Sequence, residues 1–234
     1  MHANTITVAS WNTEWAPNSG RGVAVRKQIG AVDADVWVVT EGQHWLLPDS
    51  GHAVDAGDDW GYDAAAHRRK TLLWSRWPLT DIVRLDRGAG KGRVVAARNH
   101  TPIGEIQILA VCIPWASAHV TTGRKDATNW SEHLECCDQI AGLASGFDPL
   151  VPTVVAGDFN QRIPRARQPI RVAERLTDLL TPWRVHTAGE VEHGPLIDHI
   201  ASTMEGVELL AWPGRVDGIR LSDHSGAMCR LRCT

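Results

Sequence analysis

Acidic and amide side chains follow three of the apolar, strand-like runs in this sequence. The run "ITVASWNTE" ends with Asn12 and Glu14, "VWVVTE" ends with Glu41, and "TVVAGDFN" ends with Asp158 and Asn160. Oxygen ligands of this kind suit a hard cation such as Mg²⁺ or Mn²⁺, whereas a structural zinc site needs a Cys/His cluster that the sequence lacks. Each residue taken singly is more typical of a solvated turn. The prediction of a cation site therefore depends on the three strand ends meeting.

A second pair of motifs points to an aspartate and a histidine that act together. In "LIDHI", strand alternation places Asp198 on the same face as Leu196 and Ile200. A carboxylate on an apolar face is costly unless it has a partner. The later "LSDHSG" offers Asp223 and His224, and a carboxylate fixes the tautomer and orientation of an imidazole. By itself this last motif favours a turn aspartate and a surface histidine, so the pairing depends on the first motif.

The elements that must position these residues are mostly strands. Strand-like runs rich in Val, Ile and Trp are "TITVASW", "ADVWVVTE", "KTLLWS", "RVVAARN", "EIQILAVCI", "PTVVAGDF", "PLIDHIAS", "VELLAW" and "GAMCRLRC". Helical periodicity predicts helices over 23–32, 126–144 and 171–180. Because a helix covers only part of one sheet face, this ratio favours two packed sheets with helices on the outside. No repeat or linker interrupts the chain, which predicts one domain over residues 1–234.

Composition and charge exclude several classes of protein. Hydrophobic residues at 43% and charged residues at 22% are ordinary for a globular domain, and the net charge of −3 argues against a broad nucleic-acid-binding basic surface. The sequence shows neither a signal peptide nor a run of about 18 apolar residues. Five cysteines without a CxxC pair fit reduced thiols. We therefore predict a cytoplasmic protein with no membrane span.

The tryptophans divide into two groups. Those inside apolar runs are predicted to fill the core, and those in looser sequence are candidates for stacking on a substrate, although packing is the commoner role. The first group is Trp11, Trp37 and Trp74, and the second is Trp45, Trp60 and Trp115.

Six motifs in order, "SWNTE", "VVTEGQ", "KTLLWSRWPL", "GDFNQR", "LIDHI" and "LSDHS", resemble the endonuclease/exonuclease/phosphatase superfamily. This is the fold of DNase I, AP endonucleases and inositol polyphosphate 5-phosphatases, and the resemblance runs from Ser10 to Ser225. It implies an α/β fold, a four-layer α/β/β/α sandwich of two mixed β-sheets flanked by helices. It also implies a phosphoester hydrolase that uses Mg²⁺ or Mn²⁺.

The resemblance assigns metal ligands to four positions. Glu41 matches the metal-binding glutamate after the second strand, and Asn12 and Glu14 match the amino-terminal metal- and phosphate-binding positions. Asp223 matches the closing aspartate, which we assign as a further metal ligand.

The resemblance assigns the catalytic chemistry to four more. Asp158 and Asn160 match the pair that positions the attacking water and holds the phosphate oxygens. Asp198 matches the aspartate paired to the catalytic histidine, which is His224 here. A cation and a positioned base are what a phosphodiester requires, because its own negative charge repels a nucleophile.

One segment departs from the family pattern. In "ILAVCIPWAS" the family commonly places His, Tyr or Asn at the strand end before the proline, where this chain has Cys112. A thiol is a poor replacement for an imidazole acid, so Cys112 is either a weak proton donor, which we favour, or an inert packing residue. His119, in the following loop, is a candidate substitute and otherwise an exposed loop residue.

The substrate is less clearly encoded than the chemistry. A nuclease is favoured by the breadth of the family, with nucleic acid as a candidate partner for the basic residues Arg21, Arg26 and Lys27 or for the cluster "HRRK" at 67–70. These charges are equally consistent with a solvated surface. A phosphatase for a small metabolite or lipid head group is the alternative, because Arg162 matches the "GDxNxR" pattern of inositol 5-phosphatases, whose "PxWxDR" segment is nevertheless absent. A binding module that has lost the chemistry is the third.

Overall fold

Two six-stranded β-sheets hold the central core of the protein between them. The computed structural model describes residues 4–233. In chain order the elements are β1 (Thr5–Asn12), α1 (Arg21–Val32), β2 (Val36–Gln43), β3 (His52–Asp55), β4 (Arg68–Ser75), β5 (Leu79–Arg84), β6 (Val94–Thr101), β7 (Gly104–Cys112), α2 (Ser131–Ala144), β8 (Thr153–Asp158), α3 (Ile170–Leu180), β9 (Arg184–Val185), β10 (Asp198–Ser202), β11 (Glu205–Trp212), β12 (Arg215–Val216), β13 (Ile219–Arg220) and β14 (Gly226–Arg232).

Both large sheets are mixed. The first has the strand order β11-β14-β1-β2-β4-β3, and the second has the order β5-β6-β7-β8-β10-β9. In the first sheet β1 and β2 are parallel, in the second β7 and β8 are parallel, and the other neighbours are antiparallel. The strands β12 and β13 form a separate small hairpin. The ends of β1, β2, β7 and β8 carry most of the residues that the sequence singles out.

The core has an inner layer between the sheets and an outer layer on each side. Between the sheets, Val8 and Val38 of the first sheet share a buried cluster with Ile108, Ala156 and Ile200 of the second. Alternation along each strand sends the intervening side chains to the opposite face, where they need cover from helices.

Helices supply that cover. On the first sheet, Ile29 of α1 shares a buried cluster with Trp37, and on the second, Ile140 of α2 and Leu176 of α3 share one with Leu109. Burying an apolar side chain of this size contributes about 1.5–3 kcal/mol. The predicted four-layer α/β/β/α sandwich is therefore confirmed, and so is the packing role of the three tryptophans in apolar runs, which are all at least nine-tenths buried.

The predicted helices are close to the observed ones except at one start. The helix predicted over 126–144 begins only at Ser131, because Trp130 before it has a left-handed backbone with φ of 71°. Residues 126–130 belong instead to the loop that follows β7. Among the described residues, none of the helices combines the length and the apolar composition that crossing a membrane requires.

Strand alternation also gathers polar residues at one end of the inner layer. Asn12 ends β1 on the face of Val8, Asp158 ends β8 on the face of Ala156, and Asp198 begins β10 opposite Asp158 in the antiparallel register. Cys112 ends β7 and is paired with Asp158 in the parallel register. One end of the two-sheet core is thus lined by polar groups from both sheets.

Candidate active site

Asp158, Asp198 and His224 form a compact cluster at this end of the sheets. One ligand atom from each, two carboxylate oxygens and an imidazole nitrogen, lies within 4.8 Å of the others. Asp158 and Asp198 come from neighbouring antiparallel strands, whereas His224 lies in the loop before β14 of the other sheet. The cluster therefore exists only because the two sheets pack together.

Asp158 is held by three N–H donors. Asn12 Nδ2 donates to its Oδ2 at 3.0 Å, the Asn160 backbone N–H donates to its Oδ1 at 2.8 Å, and Asn160 Nδ2 donates to its Oδ2 at 3.1 Å. The residue is only 2% exposed. Burial raises the pKa of Asp158 well above its usual range, and the nearby Asp198 carboxylate adds to the rise. The Asp158 carboxylate is therefore rigidly placed and lacks a full counter-charge.

Asp198 orients His224. The imidazole Nδ1 lies 2.5 Å from Asp198 Oδ2, so Nδ1–H donates to the carboxylate and Nε2 is left to face the site. Burial alone would lower the pKa of His224, but the neighbouring carboxylates, Asp198 first, outweigh it and raise that pKa to about 10. At neutral pH the ring is a buried imidazolium held in one orientation.

The other oxygen of Asp198 is unsatisfied. Asp198 Oδ1 is buried and accepts no hydrogen bond from any residue in 4–233. Two buried carboxylates thus face a single imidazolium, and buried polar atoms without partners are rare in folded proteins. An added hard cation would relieve both the excess negative charge and the orphaned oxygen, and the donor set of carboxylate and amide oxygens fits Mg²⁺ or Mn²⁺.

The segment "GDFN" explains why this loop can present Asp158 so closely. Gly157 has φ of 140°, and a Cβ there would lie 1.8 Å from the carbonyl oxygen of Val111 on the parallel neighbour. Asn160 has φ of 52°, a left-handed conformation that asparagine tolerates better than most residues. Phe159 between them is 1% exposed and packs in the outer core of the second sheet. The tight approach of β8 to β7 therefore requires glycine at position 157. The left-handed backbone that lets Asn160 hydrogen-bond to Asp158 favours asparagine at position 160.

The predicted metal ligands are placed differently from one another. Glu41 has φ of 47° and pairs through Oε1 with Lys70 Nζ at 2.5 Å. Asp223 is half-exposed beside the histidine, with its Oδ1 3.8 Å from His224 Nε2. Neither carboxylate belongs to the group of ligand atoms that lie within 4.8 Å of one another, and we call these two residues the acidic rim. The contact of Lys70 with Glu41 was not predicted.

Glu14 and Asn12 are engaged within the protein. The Glu14 carboxylate pairs with Arg21 at 3.4 Å and Arg220 at 2.5 Å, and its backbone N–H donates to Asn12 Oδ1 at 2.9 Å. The Asn12 amide thus bridges Glu14 and Asp158. The structure brings Asn12 into the cluster as a brace and leaves the Glu14 side chain outside it.

The two candidate proton donors are buried. Cys112 is 1% exposed, and burial raises the pKa of its thiol to about 12, which favours the packing role over that of a proton donor. His119 is fully buried rather than loop-exposed. Its ring stacks on Tyr62 with a centroid distance of 4.2 Å, and its Nε2 lies 3.2 Å from the Trp60 carbonyl oxygen. The ring nitrogens of His119 are engaged by Trp60 and Arg124. The Cys112 thiol, by contrast, is sealed from solvent where the charges of Lys70, Asp158 and Glu41 act on it.

Arg162 lies on the open side of Asn160. Its side chain is exposed and lines a hollow of about 640 Å³ together with Trp130, Asn160 and Arg167. A substrate could reach Arg162 here without moving the protein, which is compatible with the predicted substrate contact.

Sequence reasoning missed Ser222 and Arg93. Ser222 Oγ donates to the Asn12 carbonyl oxygen at 2.7 Å and joins the closing loop to β1. Arg93 is 2% exposed, and its carbonyl oxygen accepts from the Cys112 backbone N–H at 2.9 Å. The only sequence signal for Arg93 is a basic residue immediately before a predicted strand, in "KGRVV", which is too common to be diagnostic.

Comparisons with known proteins agree with this fold. A profile of the Endonuclease/Exonuclease/phosphatase family matches residues 9–224, and no curated protein sequence matches the chain. An endonuclease/exonuclease/phosphatase from Beutenbergia cavernae DSM 12333 superposes with a TM-score of 0.69 at 16% identity, over 98% of this chain and 72% of that one.

Two further solved structures share the fold. D. rerio TDP2 complexed with single strand DNA product has a TM-score of 0.68 at 12% identity, over 97% of this chain and 99% of that one. An AP endonuclease from Archaeoglobus fulgidus has a TM-score of 0.63 at 14% identity, over 96% and 98% respectively. At such identities these superpositions speak for the fold alone.

Proposed function

The chain belongs to the endonuclease/exonuclease/phosphatase family, and we propose that it is a divalent-metal-dependent phosphodiesterase of the nuclease type. The family comprises metal-dependent phosphoester hydrolases, both nucleases and phosphatases. The observation that carries the proposal is the buried cluster of Asp158, Asp198 and His224, with its excess carboxylate charge and the orphaned Asp198 Oδ1. A binding module would have no use for so costly an arrangement.

The cation is assigned to the acidic rim. Glu41 and Asp223 would hold it beside Asp158, with Asn12 bracing that carboxylate. When bound, Mg²⁺ or Mn²⁺ neutralises charge on the phosphate and favours ionisation of water. Glu14, which we first assigned to the metal, serves here to fix Asn12 through its backbone N–H.

The chain's own residues supply the remaining chemistry. The raised pKa of Asp158 makes it a stronger base than a solvent-exposed aspartate, so it orients the attacking water and accepts its proton. The His224 imidazolium, held by Asp198, directs Nε2–H at the negative charge that grows on the phosphate oxygens. Both Asn160 amide hydrogens are used, on the Ile113 carbonyl and on Asp158, so Asn160 acts by holding Asp158.

A polymeric substrate is favoured over a small one by the surroundings of the cluster. One hollow is lined by Arg162 and Arg167 together with Asn160, and a second is lined by Arg68 and by Lys70, the partner of Glu41. Basic groups in both hollows suit a chain of phosphates. D. rerio TDP2, which shares the fold, is known in complex with a single strand DNA product. The alternative, a phosphatase for a small metabolite or lipid head group, is favoured only by the exposed Arg162 beside Asn160.

The test is turnover of bis-p-nitrophenyl phosphate by the purified chain. We expect hydrolysis with Mg²⁺ or Mn²⁺, none in EDTA, and none with His224→Ala under the same conditions. Full activity in EDTA, or equal activity of the variant, would contradict the mechanism, and no turnover with either metal would favour the binding module. Plasmid, single-stranded oligonucleotide and phosphorylated metabolites compared side by side then separate nuclease from phosphatase.

A further inference from the structure

A second pocket adjoins the catalytic cluster. It encloses about 350 Å³, and its walls include the aromatic Trp15, Trp60 and Trp115, the basic Arg68, Lys70 and Arg93, and one acidic residue, Asp63. We call this set of residues the aromatic pocket. Lys70 joins it to Glu41, because its Nζ lies 2.5 Å from Glu41 Oε1 and 5.1 Å from the centroid of the Trp15 ring. The charges of Lys70, Arg93 and Asp158 all act on Cys112, so the pocket and the cluster are neighbours.

Arg93 is a buried cation without a partner. The residue is 2% exposed and lines the pocket, and within residues 4–233 its guanidinium makes neither a hydrogen bond nor an ion pair. None of its nitrogens is fully sealed from the surface, so the pocket gives access to them. Glu132, on which the Arg93 charge acts, is held by Arg124 at 2.5 Å. An unpaired arginine in such a place lowers the stability of the fold, because a buried charge needs a counter-charge and hydrogen bonds. The position is explained if an anion enters the pocket and pairs with the guanidinium.

The backbone of Arg93 is firmly fixed. Its carbonyl oxygen accepts from Thr71 Oγ1 at 2.7 Å and from the Cys112 backbone N–H at 2.9 Å, which ties it to both sheets. Because Cys112 pairs with Asp158 in the parallel register, Arg93 is anchored next to the strand ends that carry the cluster. An anion on Arg93 would therefore be a close neighbour of the phosphate that the cluster attacks.

Trp115 offers a flat apolar surface beside these cations. It is 46% exposed, an unusual state for so large an aromatic side chain, and no other ring of the described residues stacks on it. Trp15 and Trp60, by contrast, stack on each other at 5.5 Å, and the Arg68 guanidinium lies 5.1 Å from the Trp15 ring. Trp115 is thus the free aromatic face of the pocket, and the Trp15–Trp60 pair holds the basic groups in place.

We propose that the aromatic pocket binds one nucleotide, with its base stacked on Trp115 and its phosphate paired with Arg93 and flanked by Arg68 and Lys70. The proposal rests on the proposed function only in making this nucleotide the neighbour of the cleaved phosphate. The pocket is at the small end for ligand sites, which suits a single nucleotide. A base paired within a duplex cannot lie flat on Trp115, so the substrate is a single strand or a free nucleotide.

Calorimetric titration in EDTA tests the pocket without requiring catalysis. We expect dAMP to bind at least about tenfold more tightly than either deoxyadenosine or inorganic phosphate, because it alone uses both the aromatic face and the cations. Equal affinity for dAMP and phosphate would overturn the base subsite. If dAMP binds as expected while bis-p-nitrophenyl phosphate is not hydrolysed, the pocket stands and the proposed function fails.

Two variants separate the base from the phosphate. Trp115→Ala should weaken dAMP binding about tenfold and leave the binding of inorganic phosphate unchanged. Arg93→Met should weaken both dAMP and phosphate, and Arg93→Lys, which keeps the charge, should restore part of both if the methionine variant does not fold. Arg232→Gln, an exposed arginine on β14 at the opposite end of the sheets, is the matched control. Wild-type dAMP affinity in Trp115→Ala would refute the proposal.

The last comparison identifies the source of the nucleotide. A short single-stranded oligodeoxyadenylate that binds more tightly than dAMP and loses affinity in Trp115→Ala makes the nucleotide part of a strand. Equal affinity of the two makes it a free nucleotide, and both results support the pocket. A duplex that binds more tightly than the single strand, with no effect of Trp115→Ala, would contradict it.

Discussion

The catalytic cluster and the aromatic pocket lie side by side at the same end of the two sheets, and their charges are unbalanced in opposite directions. The cluster buries Asp158 and Asp198 against one imidazolium, and Asp198 Oδ1 has no partner in the described chain. The pocket buries Arg93 with no carboxylate bound to it among the same residues. Each region therefore lacks the charge that its own proposed ligand would bring, which is a cation at the cluster and a phosphate at the pocket.

A buried histidine outside the cluster shows how the fold holds an imidazole without a counter-ion. Buried His133 accepts from Gln161 Nε2 at 2.7 Å and donates through Nδ1 to the Pro114 carbonyl oxygen at 2.8 Å. Burial lowers the pKa of His133 to about 4, so it remains neutral and needs no counter-ion. Both ring nitrogens of His133 are thus satisfied without a charge, although Oε1 of its partner Gln161 accepts no hydrogen bond from the described residues. The cluster differs because it buries two carboxylates against one imidazolium.

The largest effect that we expect concerns turnover at the cluster. Asp198→Asn and His224→Ala should each lower the rate of phosphodiester hydrolysis about a thousandfold, because the imidazolium is useful only when it is held and charged. The double variant should lose little more than either single one, since the two residues act as a unit. Steady-state rates with bis-p-nitrophenyl phosphate measure this, with circular dichroism to verify folding. Multiplicative losses would mean that the two act independently.

Removing the buried cation should change the free energy of unfolding in opposite directions in the two regions. In EDTA, His224→Ala should lower the free energy of unfolding by about 3 kcal/mol, because two buried carboxylates lose their only cation. Arg93→Met should leave it unchanged or raise it by about 1 kcal/mol, because an unpaired buried charge is removed. Urea denaturation gives both values. A loss of several kcal/mol in Arg93→Met would show that Arg93 stabilises the fold and would remove the contrast.

The metal requirement should change at the rim. Glu41→Gln should raise the Mg²⁺ concentration for half-maximal activity at least about tenfold, because a carboxylate ligand becomes a neutral amide. Glu14→Gln is the matched control and should shift it much less, since that carboxylate pairs with Arg21 and Arg220. Titrating each variant with Mg²⁺ measures this concentration. An equal increase in both variants would mean that Glu14 is a metal ligand after all.

The smallest effect should come from Cys112. Cys112→Ala should keep turnover within about twofold for esters with both good and poor leaving groups, because a buried thiol with a pKa of about 12 does not donate a proton to the leaving group. Cys112→His should cost about 1–3 kcal/mol of stability by overfilling the site. A selective gain of Cys112→His on poor leaving groups would instead restore the donor role.

Much of the fold was predictable because it depends on local pattern. The apolar runs and the helical periodicity predicted two sheets with outer helices, and the structure has them. The helix start at 126 was wrong, since periodicity alone does not reveal that Trp130 adopts a left-handed backbone. The approach of Asp198 and His224 was predictable too, because a carboxylate on an apolar strand face requires a partner.

The burial and the charge partners of the site residues were much less predictable than their places on the strands. Lys70 and Glu41 meet because β4 lies antiparallel to β2, and Cys112, His119 and Arg93 are buried by segments far away in the chain. By itself the sequence determined where the main strands lie along the chain and which side chains sit at their ends. These features depend on alternation and turn chemistry, which act between near neighbours. Only the tertiary structure decided which of these groups are charged, paired or open to a ligand, because desolvation and counter-charges come from residues that meet only when the two sheets pack.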